Sequence, residues 1–506
     1  MKIRKSIILL VILMLATSGM TACSGAGKDT DETAGDASVV SDGAGDGETA
    51  EAVEEKTITD IVSEKYAGID LDGYKYHVLA PAAGEHFYFC VDAGINEVYA
   101  EEMNGSLIND AIWQRNNYTM ELLNVSINPV WATGNVEGIT SQLNKEVLSG
   151  ETLYDTVLNR MDYMGTSMIN GDLLNIHNIQ TLDTTNPWWD KNIVDTFTVF
   201  GDKLYFISGD INIFDDFAVE VIYFNKQLCD DNGLAYPYSD VTEGTWTIAK
   251  FYEMAKAVEQ DLNGDGKLIP EDDVVGHCEH HTVIHWMYAM GEKSIIVGED
   301  SKPIVDLTSE RHIQAVDTIF QYMFTGQGSY VPAVSASNHF VNGTVLFAGD
   351  MLGPINTLRD MSHSFGVLPM PKMNEEQENY GNYISNGWTT VYGVPMTNSS
   401  NADKIGTILE VLCGYSTDTL RTALYDVLFA AKLVRDAESV EMLDIIFSSK
   451  SYDWAVDFSW GGTILGIYGS LNNSSGNTYS STIQSKLGVI ESEFADVFTK
   501  IQALEY

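Results

Sequence analysis

Strand-like and helix-like runs alternate from Tyr74 onward, and that alternation constrains the fold more than any other feature. Tyr74–Ala80 (YKYHVLA) reads as a strand, Ser106–Leu123 has helical spacing, and Asn124–Pro129 reads as a second strand. Ile139–Leu148 is helical again, Asp155–Asn159 looks like a buried strand, and Phe206–Ser208 and Val219–Phe224 continue the series. Strands separated by helices make βαβ units and a mainly parallel sheet, so the class is α/β. Thr247–Gln260 predicts a helix with Thr245 or Thr247 as cap. Further helices are expected over Ser309–Phe324, Asn401–Cys413, Ser439–Phe447 and Ser480–Lys500. About 450 residues follow the N-terminal region, more than one hydrophobic core usually accommodates, so two lobes are expected.

The N-terminus reads as an address. Lys2, Arg4 and Lys5 precede an unbroken apolar run from Ile7 to Leu15, followed by Met20-Thr21-Ala22-Cys23. A charged start, a short apolar core and a small-residue cleavage site describe a secretory signal peptide over residues 1–23. The segment around Cys23 resembles a bacterial lipobox, with Met20 where Leu is commoner. That resemblance implies lipidation of Cys23 (palmitate among the acyl groups) and an extracytoplasmic protein anchored to the cell membrane. Ordinary cleavage and full secretion is the alternative. Residues 24–57 hold Gly, Ala, Asp, Glu, Thr and Ser with no aromatic residue, a composition that cannot bury enough apolar surface to fold. They are expected to form a disordered acidic tether.

The formal charge of −44 becomes −47 when Lys2, Arg4 and Lys5 leave with the leader. So acidic a chain excludes nucleic acid and anionic lipid surfaces as partners and favours neutral or cationic ligands, or metal ions. Cys90, Cys229, Cys278 and Cys413 are widely spaced and are expected to be buried free thiols, not a disulfide framework.

One stretch has metal-ligand spacing. In Asp261-Leu-Asn263-Gly-Asp265-Gly-Lys267-Leu-Ile-Pro-Glu-Asp272, oxygen donors stand at loop positions 1, 3 and 5, and Gly266 stands at 6. Lys267 offers its carbonyl at 7 and Asp272 a carboxylate at 12, which is the pattern of a calcium loop. Asp272 replaces the usual Glu and resembles the loops of cellulosomal dockerins. Pro270 and a strand-like VVGH argue against an exit helix. An acidic turn without metal is the alternative. His277-Cys278-Glu279-His280-His281 with His285 could place His281 and His285 on one helix face for zinc, but no third ligand and base stand in register. An ordinary histidine cluster is the competing reading. There is no G-x-S-x-G elbow, Walker A loop or G-x-G-x-x-G. Among nine tryptophans, Trp188, Trp189, Trp286, Trp388 and Trp460 lie in loop-like settings, and indole faces match the C–H faces of sugar rings. Core packing is the alternative for each of them.

The order of YDTVLNR (154–160), Gly171-Asp-Leu-Leu-Asn175, Asn186-Pro-Trp-Trp-Asp190, Gly201-Asp-Lys-Leu-Tyr205, Val221-Ile-Tyr-Phe-Asn225, Gly244-Thr-Trp-Thr247, Val345-Leu-Phe347, Phe365–Lys372, Gly393-Val-Pro395 and Arg435–Asp444 resembles the extracellular solute-binding proteins of family 1, the sugar type. The resemblance spans nearly all of residues 70–506. It implies a type II periplasmic-binding-protein fold: two α/β lobes joined by hinge segments, with a ligand cleft between them. Lobe one would be 68–215 with 390–430, and lobe two 216–389 with 431–506. Crossovers are expected near Asp215–Val221 and Ser385–Val391. The implied function is capture of a carbohydrate, an oligosaccharide, and its delivery to the permease of an ABC importer, by a monomer with no enzymatic activity. Asp215, Asp216, Trp286, Trp388 and Trp460 are the ligand-binding candidates. A secreted glycosidase or zinc hydrolase, or a sensory binding protein on the same scaffold, is the alternative.

The lipobox reading has a direct test in a native-type host. Cys23→Ser should move the protein from membranes into the medium or periplasm, and membrane association unchanged by the substitution would reject the anchor.

Overall fold

The computed structural model describes residues 56–505 apart from 83–95, 280–282, 325–329, 333–335, 354–357, 359–360, 386, 431–436, 459, 461 and 473–475. Most of the tether, Cys23, Cys90 and His281 therefore lie outside the described residues. The first described helix is capped by Thr57. Its side chain accepts the Asp60 N–H (3.1 Å), and the Asp60 carboxylate accepts the Thr57 N–H (3.1 Å), a reciprocal cap that starts the helix Ile58–Lys65. That helix buries Ile58 and Val62 against the helix Ala402–Asp418. The approach needs Gly414, where a Cβ would stand 2.5 Å from Val62 Cγ2.

The described strands, in chain order, are β1 (Tyr74–Ala80), β2 (Val125–Trp131), β3 (Thr156–Arg160), β4 (Glu220–Asn225), β5 (Val275–Glu279), β6 (Ile295–Val297), β7 (Pro303–Val305), β8 (Tyr330–Pro332), β9 (Val345–Met351), β10 (Phe365–Leu368), β11 (Asn382–Tyr383), β12 (Thr390–Gly393) and β13 (Lys450–Ser451). Two sheets organise them. The first has the order β12-β3-β1-β2, with β1 parallel to β2 from Tyr74↔Val125 to Ala80↔Trp131. β3 is parallel to β1, and β12 returns antiparallel to β3. The second has the order β10-β4-β9-β5-β8, in which β5 runs parallel to β8 and β9, while β4 is antiparallel to β9 and β10. All six residues of β4, EVIYFN, are buried, as expected of a central strand covered on both faces.

Helix caps follow the sequence closely. Thr247 caps the helix Ile248–Val258 through the Lys250 N–H, and Asn124 in the left-handed region (φ 51°) ends the helix Leu107–Leu123. Two expectations change. Phe206–Ser208 forms no strand, only the single bridge Ile207↔Tyr392 beside β12. The helix over 309–324 is α-helical for Glu310–Ile319 and widens to a π-turn over Phe320–Phe324. Cys229, Cys278 and Cys413 are buried free thiols.

The chain passes between the sheets through two segments lying side by side. Val219 bridges Ile384, the Ser385 N–H reaches Ala218 O (3.3 Å), and the Gly353 N–H reaches Phe217 O (2.7 Å). Just beyond, Thr390 pairs with Arg160 at the carboxyl end of β3, and Glu220 pairs with Met351 at the carboxyl end of β9. Both sheets thus bring the carboxyl ends of their parallel strands to the crossover. The C-terminal helix Tyr479–Ala503 packs on both Met161–Ile169 and Glu310–Ile319.

Candidate functional site

Asp215 and Asp216 sit in the short helix Phe214–Phe217, on the outgoing crossover, and both are buried. Lys450 on β13 donates to Asp215 Oδ2 (2.5 Å), to Asp216 Oδ1 (3.1 Å) and toward Asp190 Oδ2 (3.1 Å). Arg421 stands 3.4 Å from Asp216 Oδ2 and 3.5 Å from Asp210 Oδ1. Asp215 and Asp216, expected to accept ligand hydroxyls, are thus paired with Lys450 and Arg421 in this structure, and Asp215 Oδ1 has no hydrogen-bond partner among the described residues. Burial opposes the Lys450 charge, but Asp215, Asp216 and Asp190 outweigh it and hold its pKa well above the ordinary lysine value. A cavity of about 560 Å³ adjoins this knot, lined by Trp189, Asp190, Asp210, Asp216, Arg421 and Lys450 among others. The sequence could not give this pairing, since Lys450 lies more than 230 residues from Asp215.

The second-sheet side of the crossover carries another polar cluster. Glu220 opens β4, Glu279 closes β5 and Asp350 lies near the end of β9. Glu279 Oε2 accepts from Trp286 Nε1 (3.0 Å) and lies 3.0 Å from His277 Nε2, whose Nδ1 is 2.9 Å from the Tyr252 hydroxyl. His285 Nδ1 lies 3.7 Å from Glu279 Oε1 and 3.8 Å from Glu220 Oε1, and its ring stacks on Tyr383 at 4.5 Å. Burial works against ionising Glu279, but His277 and His285 on either side hold it below the ordinary glutamate range. Burial pushes Glu220 up to about 8, and Asp350 and Glu279 add to the rise while His285 opposes it. Glu220 is therefore mostly protonated at neutral pH. Sequence reasoning missed Glu220 because it reads as one more residue of a buried strand.

The tryptophans divide. Trp286 is fully buried, its ring packed beside Tyr252 and its N–H tied to Glu279, so it is a core anchor and not a ligand face. Trp188 and Trp189 are buried as well, and Trp189 donates to Glu410 (2.9 Å). Trp388 is half-buried, its N–H bonded to Ser385 O (3.0 Å), two residues ahead of β12. Trp460 is half-buried against Phe458 (4.6 Å) and Trp454 (6.3 Å). Another aromatic, not expected from the sequence, is exposed: Trp131, 41% exposed, ends β2. At the end of β3, with β1 between it and β2, Arg160 bonds Asp162 and lies over the Tyr163 ring. Indole faces and oriented polar groups at the carboxyl ends of strands are what a neutral polyhydroxy ligand requires.

The calcium-type loop closes on itself through the bridge Gln260↔Val274. Asp261 accepts the Gly264 (2.7 Å) and Gly266 (2.9 Å) N–H groups, Asn263 that of Asp265 (2.8 Å), and Asp265 that of Lys267 (2.8 Å). Asp272 is exposed, while its buried neighbour Asp273 takes the N–H groups of Leu262 and Ile269. Strand β5 follows directly with no exit helix. Among the described residues, no group of three or more His, Cys, Asp or Glu is placed to hold a metal ion. His277 and His285 are engaged with Tyr252, Glu279 and Tyr383, and give no zinc geometry.

Neither a family model nor a curated protein matches the chain. Solved structures do. UspC of M. tuberculosis aligns at 12% identity with a TM-score of 0.51, over 85% of this chain and 100% of that one. A cyclo/maltodextrin-binding protein, solved with maltotetraose, aligns at 13% identity with a TM-score of 0.50, over 85% of this chain and 98% of that one. The fold is that of the two-lobed periplasmic solute-binding proteins.

Glu220 makes a pH prediction. Its folded pKa lies above the unfolded value of 4.5, so its contribution to stability is full below that pH and is lost as pH rises through about 8. Glu220→Gln keeps the neutral form at every pH. It should match the wild type near pH 4 and exceed it by about 2–4 kcal/mol at pH 9 in urea melts; parallel pH curves for the two proteins would show that Glu220 titrates normally.

Proposed function

We propose that this chain is a lipid-anchored extracellular binding protein that captures a carbohydrate, an oligosaccharide, between its two lobes and hands it to the permease of an ABC importer. The observation that carries the reading is the crossover at Val219–Ile384, which joins two α/β sheets and gathers the carboxyl ends of β3, β5 and β9 at one seam. Ligands of open α/β sheets bind outside those strand ends, and domain closure about such crossovers encloses them. The structural likeness to a maltodextrin-binding protein solved with maltotetraose supports a sugar as ligand. Trp388 and Trp460 supply stacking faces in this reading, and Trp131 adds a third. Anchoring through Cys23, with no described helix long and apolar enough to cross a membrane, makes the acidic tether a spacer between lipid and lobes.

Calcium at the 261–272 loop is part of the proposal. Asp261, Asn263, Asp265 and the Lys267 carbonyl supply oxygens of the right hardness and spacing, and Asp272 would have to turn inward to complete them. A bound cation there would tie the end of the helix Ile248–Val258 to the start of β5, a stabilising role in the second sheet.

A thermal-shift screen of mono- and oligosaccharides tests the ligand class, since a ligand that binds only the folded state raises the melting temperature by mass action. Trp388→Ala and Trp460→Ala should each weaken the best sugar about thirtyfold by calorimetry, the effect of removing an anchor aromatic, with melting of the free protein little changed. Wild-type affinity in both variants would place the cleft elsewhere. For the loop, EDTA should lower the melting temperature and calcium restore it, and Asp265→Ala should abolish the response; a melting curve indifferent to both would reject the metal.

A further inference from the structure

Among the described residues, Glu220 is the one carboxylate of its cluster that accepts no hydrogen bond. Glu279 is held by His277, Trp286 and His285. Asp350 accepts the Met351 N–H (2.9 Å) and the Ser337 N–H (3.3 Å). Glu220 is 8% exposed, and His285 Nδ1 stands 3.8 Å from its Oε1, beyond hydrogen-bond reach. A buried carboxylate left this way is costly unless it keeps a proton or receives a cation. Its place is also particular. It follows the crossover residue Val219 directly and lies opposite Met351 at the carboxyl end of β9, on the seam where the proposed cleft opens.

A metal ion would need several free oxygens here, and the neighbouring carboxylates are committed to imidazole, indole and backbone groups. A protonated amine needs only one. It would form a charge-assisted hydrogen bond with Glu220, stronger than any a neutral hydroxyl makes. The acidic surface of the whole chain would draw such a cation toward the seam.

We propose that Glu220 receives a protonated amine of the bound ligand, so that the preferred ligand is an amino sugar or a short amino-sugar oligomer. The proposal rests on the carbohydrate-binding reading and narrows it. Protonated Glu220 in the empty protein supports it, because the entering ammonium then replaces the carboxyl proton, which passes to solvent, while the ammonium keeps its own.

The test is calorimetry at pH 5.5, where the glucosamine amines and the Glu220 carboxyl are both protonated before binding, with glucosamine tetramer, N-acetylglucosamine tetramer and a neutral glucose tetramer, each in two buffers of different ionisation enthalpy. The glucosamine tetramer should bind about tenfold or more tighter than the other two. It should release close to one proton per site, and the neutral tetramers none. Glu220→Gln should erase both the preference and the proton release. Equal or tighter binding of the neutral or acetylated tetramer, or amine binding with no proton release, overturns the amine assignment and leaves the carbohydrate reading standing. Binding of spermidine with proton release but of no sugar keeps the role of Glu220 and removes the carbohydrate reading. Binding of none of these probes overturns both. The wild-type preference and proton count need no variant, so a poorly folded Glu220→Gln protein does not shield the proposal.

Discussion

Both crossover segments are anchored to one buried carboxylate. Glu97 accepts the N–H groups of Ile213 (2.6 Å) and Phe214 (2.9 Å) on the outgoing segment and the Thr390 hydroxyl (2.5 Å) on the returning one. Its backbone is in turn held by Arg115, whose Nη2 donates to the Glu97 and Val98 carbonyls, and Asn116 adds a second bond to Val98. A side chain that closes the N-terminus of one passage and grips the first residue of β12 fixes where the two segments leave the first sheet. Everything beyond, including the register Val219–Ile384 and the placement of Glu220, is built from that starting point. Burial raises the Glu97 pKa, and the four groups that bond to it oppose the rise, which is the electrostatic signature of a carboxylate kept in the interior by its hydrogen bonds.

Around this anchor the crossover has two polar flanks of different character. In the knot of Asp190, Asp210, Asp215, Asp216, Arg421 and Lys450 every carboxylate faces a cation, while Asp215 Oδ1 and Arg421 Nη2 have no hydrogen-bond partner among the described residues; ion pairing of this kind fixes geometry more than it adds stability, since desolvation offsets most of the Coulomb gain. Because Lys450 and Arg421 come from the C-terminal part of the chain, the knot ties that part to the outgoing crossover. In the opposite cluster, Glu279 is engaged by His277, Trp286 and His285, while Glu220 accepts no hydrogen bond among the described residues. Incomplete satisfaction next to a seam between lobes is where ligand chemistry is expected, because rigid, satisfied groups have no bonds to offer.

Much of the architecture was legible from residues a few positions apart. The YKYHVLA and TVLNR strands, the Thr247 cap, the helix after Ser106 and the absence of an exit helix after the 261–272 loop all follow from local pattern. The buried thiols followed from their spacing. The reading failed where the deciding partner was distant. Asp215 and Asp216 read as open acceptors because nothing near them is basic. Trp286 read as a ligand-binding candidate because the loop-like sequence before it gives no hint that Glu279 and Tyr252 enclose it. Trp131 was passed over because an aromatic at a strand end reads as core.

The sequence by itself determined the α/β class, the two-lobe scale and the helix boundaries, because propensity, capping and periodicity act over fewer than a dozen residues. It also determined the net acidity of the chain, which favours neutral or cationic partners. Only the tertiary structure decided which charges are committed and which remain available. Lys450 reaches Asp215 only through folding of the whole chain, and the 3.8 Å gap that leaves Glu220 without a hydrogen bond is set by β4, β5 and the helix Val283–Ala289 together. Burial and pairing are properties of packed surfaces, and packing joins residues hundreds of positions apart that no local pattern connects.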